Sequence, residues 1–200
     1  MAFEQRGKSG GSRKRSSGFS SSRGGSDESA DAKPAREKKP PTPERLEQRA
    51  RNVLLHQLAR SAKSTHQLRK ILEQREIPSE IAERVLVRFT EVGLIDDQAY
   101  AETIVNSRRN FKGLSKSAIK RELNEKGVPA PFIEQAIESI TAEDDLAAAQ
   151  ELAARRIRQM STLAKDVRER RLAGYLGRKG YPSSVVFAAI RFAESQIELD

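Results

Sequence analysis

The sequence predicts an all-α protein: three tandem three-helix repeats forming an elongated, curved array, preceded by a disordered N-terminal tail. Three observations predict it. One phrase occurs three times at nearly constant intervals. Apolar residues recur at helical spacing beyond residue 43. No stretch combines strand alternation with turn chemistry. A repeat of this length sets the fold, because one unit is too small to bury a core comfortably and neighbours must stack.

The phrase is clearest in its middle copy, Leu123-Asn124-Glu125-Lys126-Gly127-Val128-Pro129-Ala130-Pro131-Phe132-Ile133. Leu123 and Lys126 belong to the last turn of one helix. Gly127 suits the left-handed position just past a helix end. Pro129 or Pro131 suits the first turn of the next helix, where a missing N–H costs nothing. Phe132, Ile133, Ala136, Ile137 and Ile140 then mark an apolar face. Leu72 to Leu86 repeats the phrase 51 residues earlier and Leu176 to Ile190 repeats it 53 residues later. Glu76 stands where the other copies have Gly127 and Gly180, so the first copy is expected to end its helix differently.

Residues 1–43 form the tail. It is rich in Ser, Gly and Lys/Arg and cannot bury enough apolar surface to offset its ordering entropy. Arg13-Lys14-Arg15 and Lys38-Lys39 suit loose phosphate contacts or solubility alone. Repeat 1 spans 44–95. Thr42 caps its first helix with Pro43 in the opening turn, and Leu46, Val53, Leu54 and Leu58 mark the inner face. Ser64 or Thr65 caps the second helix, and the third runs from about Ser79 to Val92. Repeat 2 spans 96–141. Asp96 caps its first helix with Asp97 near the positive end, Asn110 to Gly113 break it, Ser115 caps the second, and the third follows Pro131. Repeat 3 spans 142–200. It opens on Glu143-Asp144-Asp145, with helices from Lys165 to Arg178 and from Ser183 or Ser184 to about Ile197.

Composition bounds the function. The chain has 200 residues, no Cys and a formal net charge of +9. Disulfides and thiolate metal sites are excluded. No apolar run approaches the roughly 20 residues a membrane helix needs, so a soluble, cytoplasmic protein is expected, without a membrane partner. The tail holds ten Lys and Arg against five Asp and Glu, so it carries more than half of the excess charge. The basic balance points to a polyanion or an acidic protein surface. No constellation suits catalysis, a cofactor or a metal. His56 and His66 fall on different helices, Asp96-Asp97 reads as helix capping, and Tyr100 reads as core. The expectation is a protein that is not an enzyme.

Basic residues recur around the second helix of each unit. Arg108, Arg109, Lys112, Lys116, Lys120 and Arg121 cluster in repeat 2, with Lys116 and Lys120 on one helix face. The helix start at Ser115 is expected to offer free N–H groups to a phosphate. A secondary basic surface comprises Lys63, Arg69 and Lys70 of repeat 1 with Arg155, Arg156, Arg168 and Arg171 of repeat 3. These residues suit a polyanion contacted mainly at phosphates. A solvated face with i, i+4 partners such as Glu122 and Glu125 accounts for them equally well.

Gly93-Leu94-Ile95-Asp96-Asp97 with Tyr100-Ala101 resembles the signature of the RecX regulatory proteins of bacteria. So do Ser107-Arg108-Arg109, Lys112-Gly113-Leu114-Ser115, Ile119, Glu122-Leu123 and Lys126-Gly127-Val128. The resemblance covers about 45–195 and is densest at 93–137. It implies a monomeric modulator of the RecA recombinase filament, taking part in DNA repair, homologous recombination and the SOS response. Such a protein binds the RecA–single-stranded DNA filament and most often inhibits its ATPase, strand exchange and coprotease activities. It also implies contacts to single-stranded DNA, and to duplex DNA, through phosphates. The competing function is a general DNA-binding or nucleoid-type helical protein acting without RecA.

Overall fold

The computed structural model describes residues 41–197, and nearly all of the predicted tail lies outside them. The described residues form nine α-helices in three sets of three. The first set is α1 (Pro43–Arg60), α2 (Thr65–Gln74) and α3 (Ser79–Glu91). The second is α4 (Asp97–Ser107), α5 (Lys116–Glu125) and α6 (Ala130–Ile137). The third is α7 (Ala142–Ile157), α8 (Lys165–Arg178) and α9 (Ser183–Ile197).

Each set has its own small core. Ala50, Leu54, Leu68, Leu72, Leu86 and Phe89 pack in the first. Tyr100, Ala101, Ile119, Leu123, Ile133 and Ile137 pack in the second. Ala149, Ala153, Leu172, Leu176, Ala189 and Ile190 pack in the third. The Leu that opens the recurrent phrase, Leu72, Leu123 or Leu176, is fully buried in every set. Truncating one of these to Ala leaves a cavity and costs about 2–5 kcal/mol.

Local chemistry explains the helix starts. Thr42 Oγ1 accepts from Arg45 N at 3.4 Å, with Pro43 in the opening turn. Ser64 and Gln67 form a reciprocal capping box, as do Thr141 and Asp144. Asp96 Oδ1 accepts from Ala99 N at 2.9 Å. The helix end at Glu76 departs from expectation. It adopts φ +58°, the same left-handed turn as Gly127 at +70° and Gly180 at +85°. In all three copies the next N–H, of Ile77, Val128 or Tyr181, bonds back to the carbonyl of the phrase's Leu. That residue is buried each time. Its burial contributes about 1.5–3 kcal/mol and offsets the roughly 1–2 kcal/mol of left-handed strain, so the turn forms without glycine.

The exit from α4 also differs. Asn110 to Lys112 do not break the helix. Arg108–Lys112 continue it as a π-helical turn, which ends at Gly113 with φ +58°. A Cβ on Gly113 would lie 2.9 Å from Leu152 Cδ1 of α7. The turn therefore brings the basic segment of the second set directly against the third.

Candidate functional site

The second helices α2, α5 and α8 position the basic residues, and their ends meet. Ser64 Oγ, at the start of α2, donates to Lys126 O at the end of α5 at 2.5 Å. Ser115 Oγ, at the start of α5, donates to Gly180 O just past α8 at 2.7 Å. Each serine is fully buried and also accepts from its own helix, from Gln67 N or Ala118 N, at 3.2 Å. The positive end of one helix dipole thus meets the negative end of the next.

A carboxylate from the following repeat completes each joint. Asp97 Oδ1 accepts from Thr65 N at 2.8 Å. Asp145 Oδ2 accepts from Lys116 N at 3.1 Å. The N–H groups of Ser115, Lys116 and Ala118 are therefore not free for a phosphate. Asp145, Lys179 O and the serine's own hydroxyl occupy them. A buried helix start must satisfy its orphan donors from within the protein, and the neighbouring repeat supplies the acceptors.

The six residues of the predicted partner surface have different surroundings. Arg108 grips Glu122 with Nε and Nη2 at 2.7–3.0 Å. Hydrogen bonding from Arg108 holds the Glu122 carboxyl below its ordinary range. Arg109 pairs with the buried Asp145. Lys116 Nζ donates to Ile140 O at 2.7 Å, and Lys120 Nζ lies 2.6 Å from Glu134 Oε1. Lys112 and Arg121 are exposed and close no ion pair among the described residues. Between Arg109 and Lys112 stands Phe111, 88% exposed. A large aromatic held out to water on a π-helical turn is a feature associated with function, and the sequence reading passed over it.

The secondary basic residues also have different surroundings, and of them Arg156 and Arg171 line one cleft of the third set. Arg69 forks onto Glu83 of α3 at 2.5 and 2.9 Å. Lys63 Nζ donates to Ser61 Oγ at 3.0 Å, and Lys70 is exposed. Arg168 grips the buried Glu194 of α9 and Leu163 O. Arg155 pairs with Glu151 at 2.9 Å on the surface of α7. Arg156 lies 5.8 Å from the Tyr175 ring centroid, while Arg171 is exposed. Among the described residues no group of three or more His, Asp or Glu side chains is arranged to hold a metal.

Three family models match, one for each set of helices: the first RecX three-helix domain at residues 50–89, the second at 96–137 and the third at 143–190. The chain is 43% identical over 157 residues to the regulatory protein RecX of Streptomyces coelicolor, spanning 78% of this chain and 83% of that one. The chain belongs to the RecX family. The RecX of Thermobifida fusca is 38% identical over 149 residues, covering 74% of this chain and 80% of its own. A crystal structure of RecX from Lactobacillus salivarius shares the fold, with a TM-score of 0.65 at 19% identity over 74% of this chain and 97% of that one. Another RecX crystal structure matches with a TM-score of 0.61 at 26% identity, covering 72% of this chain and 70% of that one.

Proposed function

We propose that this RecX-family chain is a non-enzymatic regulator that binds the RecA–single-stranded DNA filament. On this reading it inhibits the filament's ATPase, strand exchange and coprotease activities, acting in the cytoplasm as a monomer. The observation that carries the reading is the match of all three helical sets, in order, to the three RecX domains. No helix among the described residues is long and apolar enough to cross a membrane.

The proposed filament-facing surface is the cluster Arg108, Arg109, Lys112, Lys116, Lys120 and Arg121. Its parts are assigned by what holds them. Arg108, Arg109, Lys116 and Lys120 already bond within the chain and shape the surface. Lys112, Arg121 and Phe111 are left to touch the partner. An exposed aromatic flanked by cations resembles the anchors that dominate binding energy at protein interfaces.

The test is RecA-dependent ATP hydrolysis on single-stranded DNA. The full chain is expected to lower it. Lys112→Glu combined with Arg121→Glu should raise the half-inhibitory concentration several-fold, because reversed charges oppose a complementary surface. Phe111→Ala should do the same through lost anchoring. Unchanged hydrolysis with the wild-type chain, together with tight duplex binding, would replace this reading with a general DNA-binding protein. Wild-type inhibition in both variants would move the surface elsewhere.

A further inference from the structure

The third helical set carries a cleft that the RecA reading does not use. It lies between the C-terminal end of α7 and the outer side of α8, encloses about 490 Å³, and is lined by Arg156, Gln159, Arg170, Arg171, Tyr175 and Arg178. No carboxylate lines it. Arg170, Arg171 and Arg178 close no ion pair among the described residues. The contrast with the second set is chemical. There Arg108 and Lys126 converge on Glu122. One repeat later Tyr175 stands in the place of Glu122, and Arg156 and Lys179 lie over its ring at 5.8 and 5.4 Å from the centroid. An internal anion has been exchanged for an aromatic surface, and the surrounding positive charge is no longer neutralised.

From this we infer that the cleft binds the backbone of a single-stranded nucleic acid, with the guanidinium groups on successive phosphates and a base against the Tyr175–Arg156 surface. Three observations select this ligand. Arg170, Gly174 and Arg178 follow at i, i+4 and i+8 along α8, so the two arginines are spread over roughly 12 Å of helix. That spread suits a row of phosphates better than one. Gly174 leaves the row open, since a Cβ there would meet only Arg178 Nη1, at 3.4 Å. The aromatic surface with its cations suits unpaired bases, which single-strand sites hold by stacking, whereas a duplex keeps its bases stacked inside. An acidic protein surface would use the arginines and leave Tyr175 without a role.

The inference does not depend on RecA, so it is tested without it. Fluorescence anisotropy of a labelled oligo-dT with the full chain reads the affinity and its salt dependence. Removing two phosphate contacts by Arg170→Gln with Arg178→Gln should lower affinity about tenfold at roughly 50 mM salt and flatten the slope of log K against log salt by about 1.4. Both residues are exposed on a helix and glutamine is a good helix former, so the melting temperature should stay at the wild-type value. Tyr175→Leu should weaken binding and leave the salt slope unchanged. The control Arg51→Gln with Arg88→Gln removes equal charge from exposed sites in the first set and should leave binding intact. Equal losses in control and cleft variants would overturn the inference. So would tighter binding to a duplex than to oligo-dT, or equal competition from poly-Glu of matched charge. None of those outcomes bears on the ATPase test of the RecA reading.

Discussion

The second helices have inner ends and outer ends, and the two differ in the residues that make them. At the inner ends Ser64 and Ser115 are buried against the neighbouring helix end. Gly127 packs on His66, and a Cβ on Gly180 would lie 2.5 Å from Ala118 Cβ. At the outer ends Ala164 stands in place of the serine and Glu76 in place of the glycine, both exposed. The backbone is the same in each case. Ala164 is extended at φ −61°, ψ 149°, like Ser64 and Ser115, and Glu76 takes the left-handed φ of the glycines. The recurrent Ser and Gly are therefore not demanded by starting or stopping a helix. They are demanded by what the helix end touches, and they change where nothing is touched.

The largest effect is expected at the carboxylate of the second joint. Asp145→Ala would leave the Arg109 guanidinium and Lys116 N–H without their partner in a site where both pair members are largely buried. Stranding a buried charge costs about 3–5 kcal/mol. Urea unfolding of the variant measures it. The comparison is Glu83→Gln, which breaks the Arg69 pair within the first set, where both side chains are a third or more exposed. That loss should stay within about 1 kcal/mol. Similar losses in the two variants would mean that Asp145 is an ordinary surface partner and no joint.

Next in size are the glycines. Gly127→Ala adds left-handed strain and an overlap with His66, together about 2–5 kcal/mol. Glu76→Gly is the reverse exchange at an outer end. It relieves strain but gives up chain stiffness, so stability should move by less than about 1 kcal/mol. Equal and opposite changes at the two sites would show that the turn itself, not the close approach, selects glycine.

Sequence pattern made the helices legible because their signals are local. Ser64, Asp96 and Ser115 announce starts, Gly127 announces an end, and the helix read over Lys165–Arg178 is α8. Tyr100, read as core, is buried. Glu76 misled because residue type was taken as the cause of the turn, whereas burial of Ile77 fixes it. The basic cluster was legible as charge but not as structure. Arg109 finds its partner 36 residues away and Arg108 finds one 14 away, beyond any i, i+4 rule. A partial signal for the joints was present. Acidic residues open the first helices of the second and third sets, where Asp97 and Asp145 serve the repeat before; Glu44 opens α1 too, so an acidic start alone does not mark a joint.

The effect expected at Ala164 is small, and it carries the sharpest sign. Its carbonyl already accepts from Val167 N at 3.1 Å and Arg168 N at 3.0 Å, so the backbone is posed as a helix start that lacks only a side-chain acceptor. A hydroxyl there would take up the Val167 N–H as Ser115 takes up that of Ala118. Ala164→Ser should therefore stabilise the chain by about 1 kcal/mol, raising the melting temperature by about 2–4 °C. Ser115→Ala runs the other way and loses more, since it removes the same cap and the bond to Gly180 O together. If serine at 164 gives no gain, the inner serines are selected for the joint alone. If it gives as much as Ser115→Ala loses, the bond across the repeats contributes nothing beyond capping.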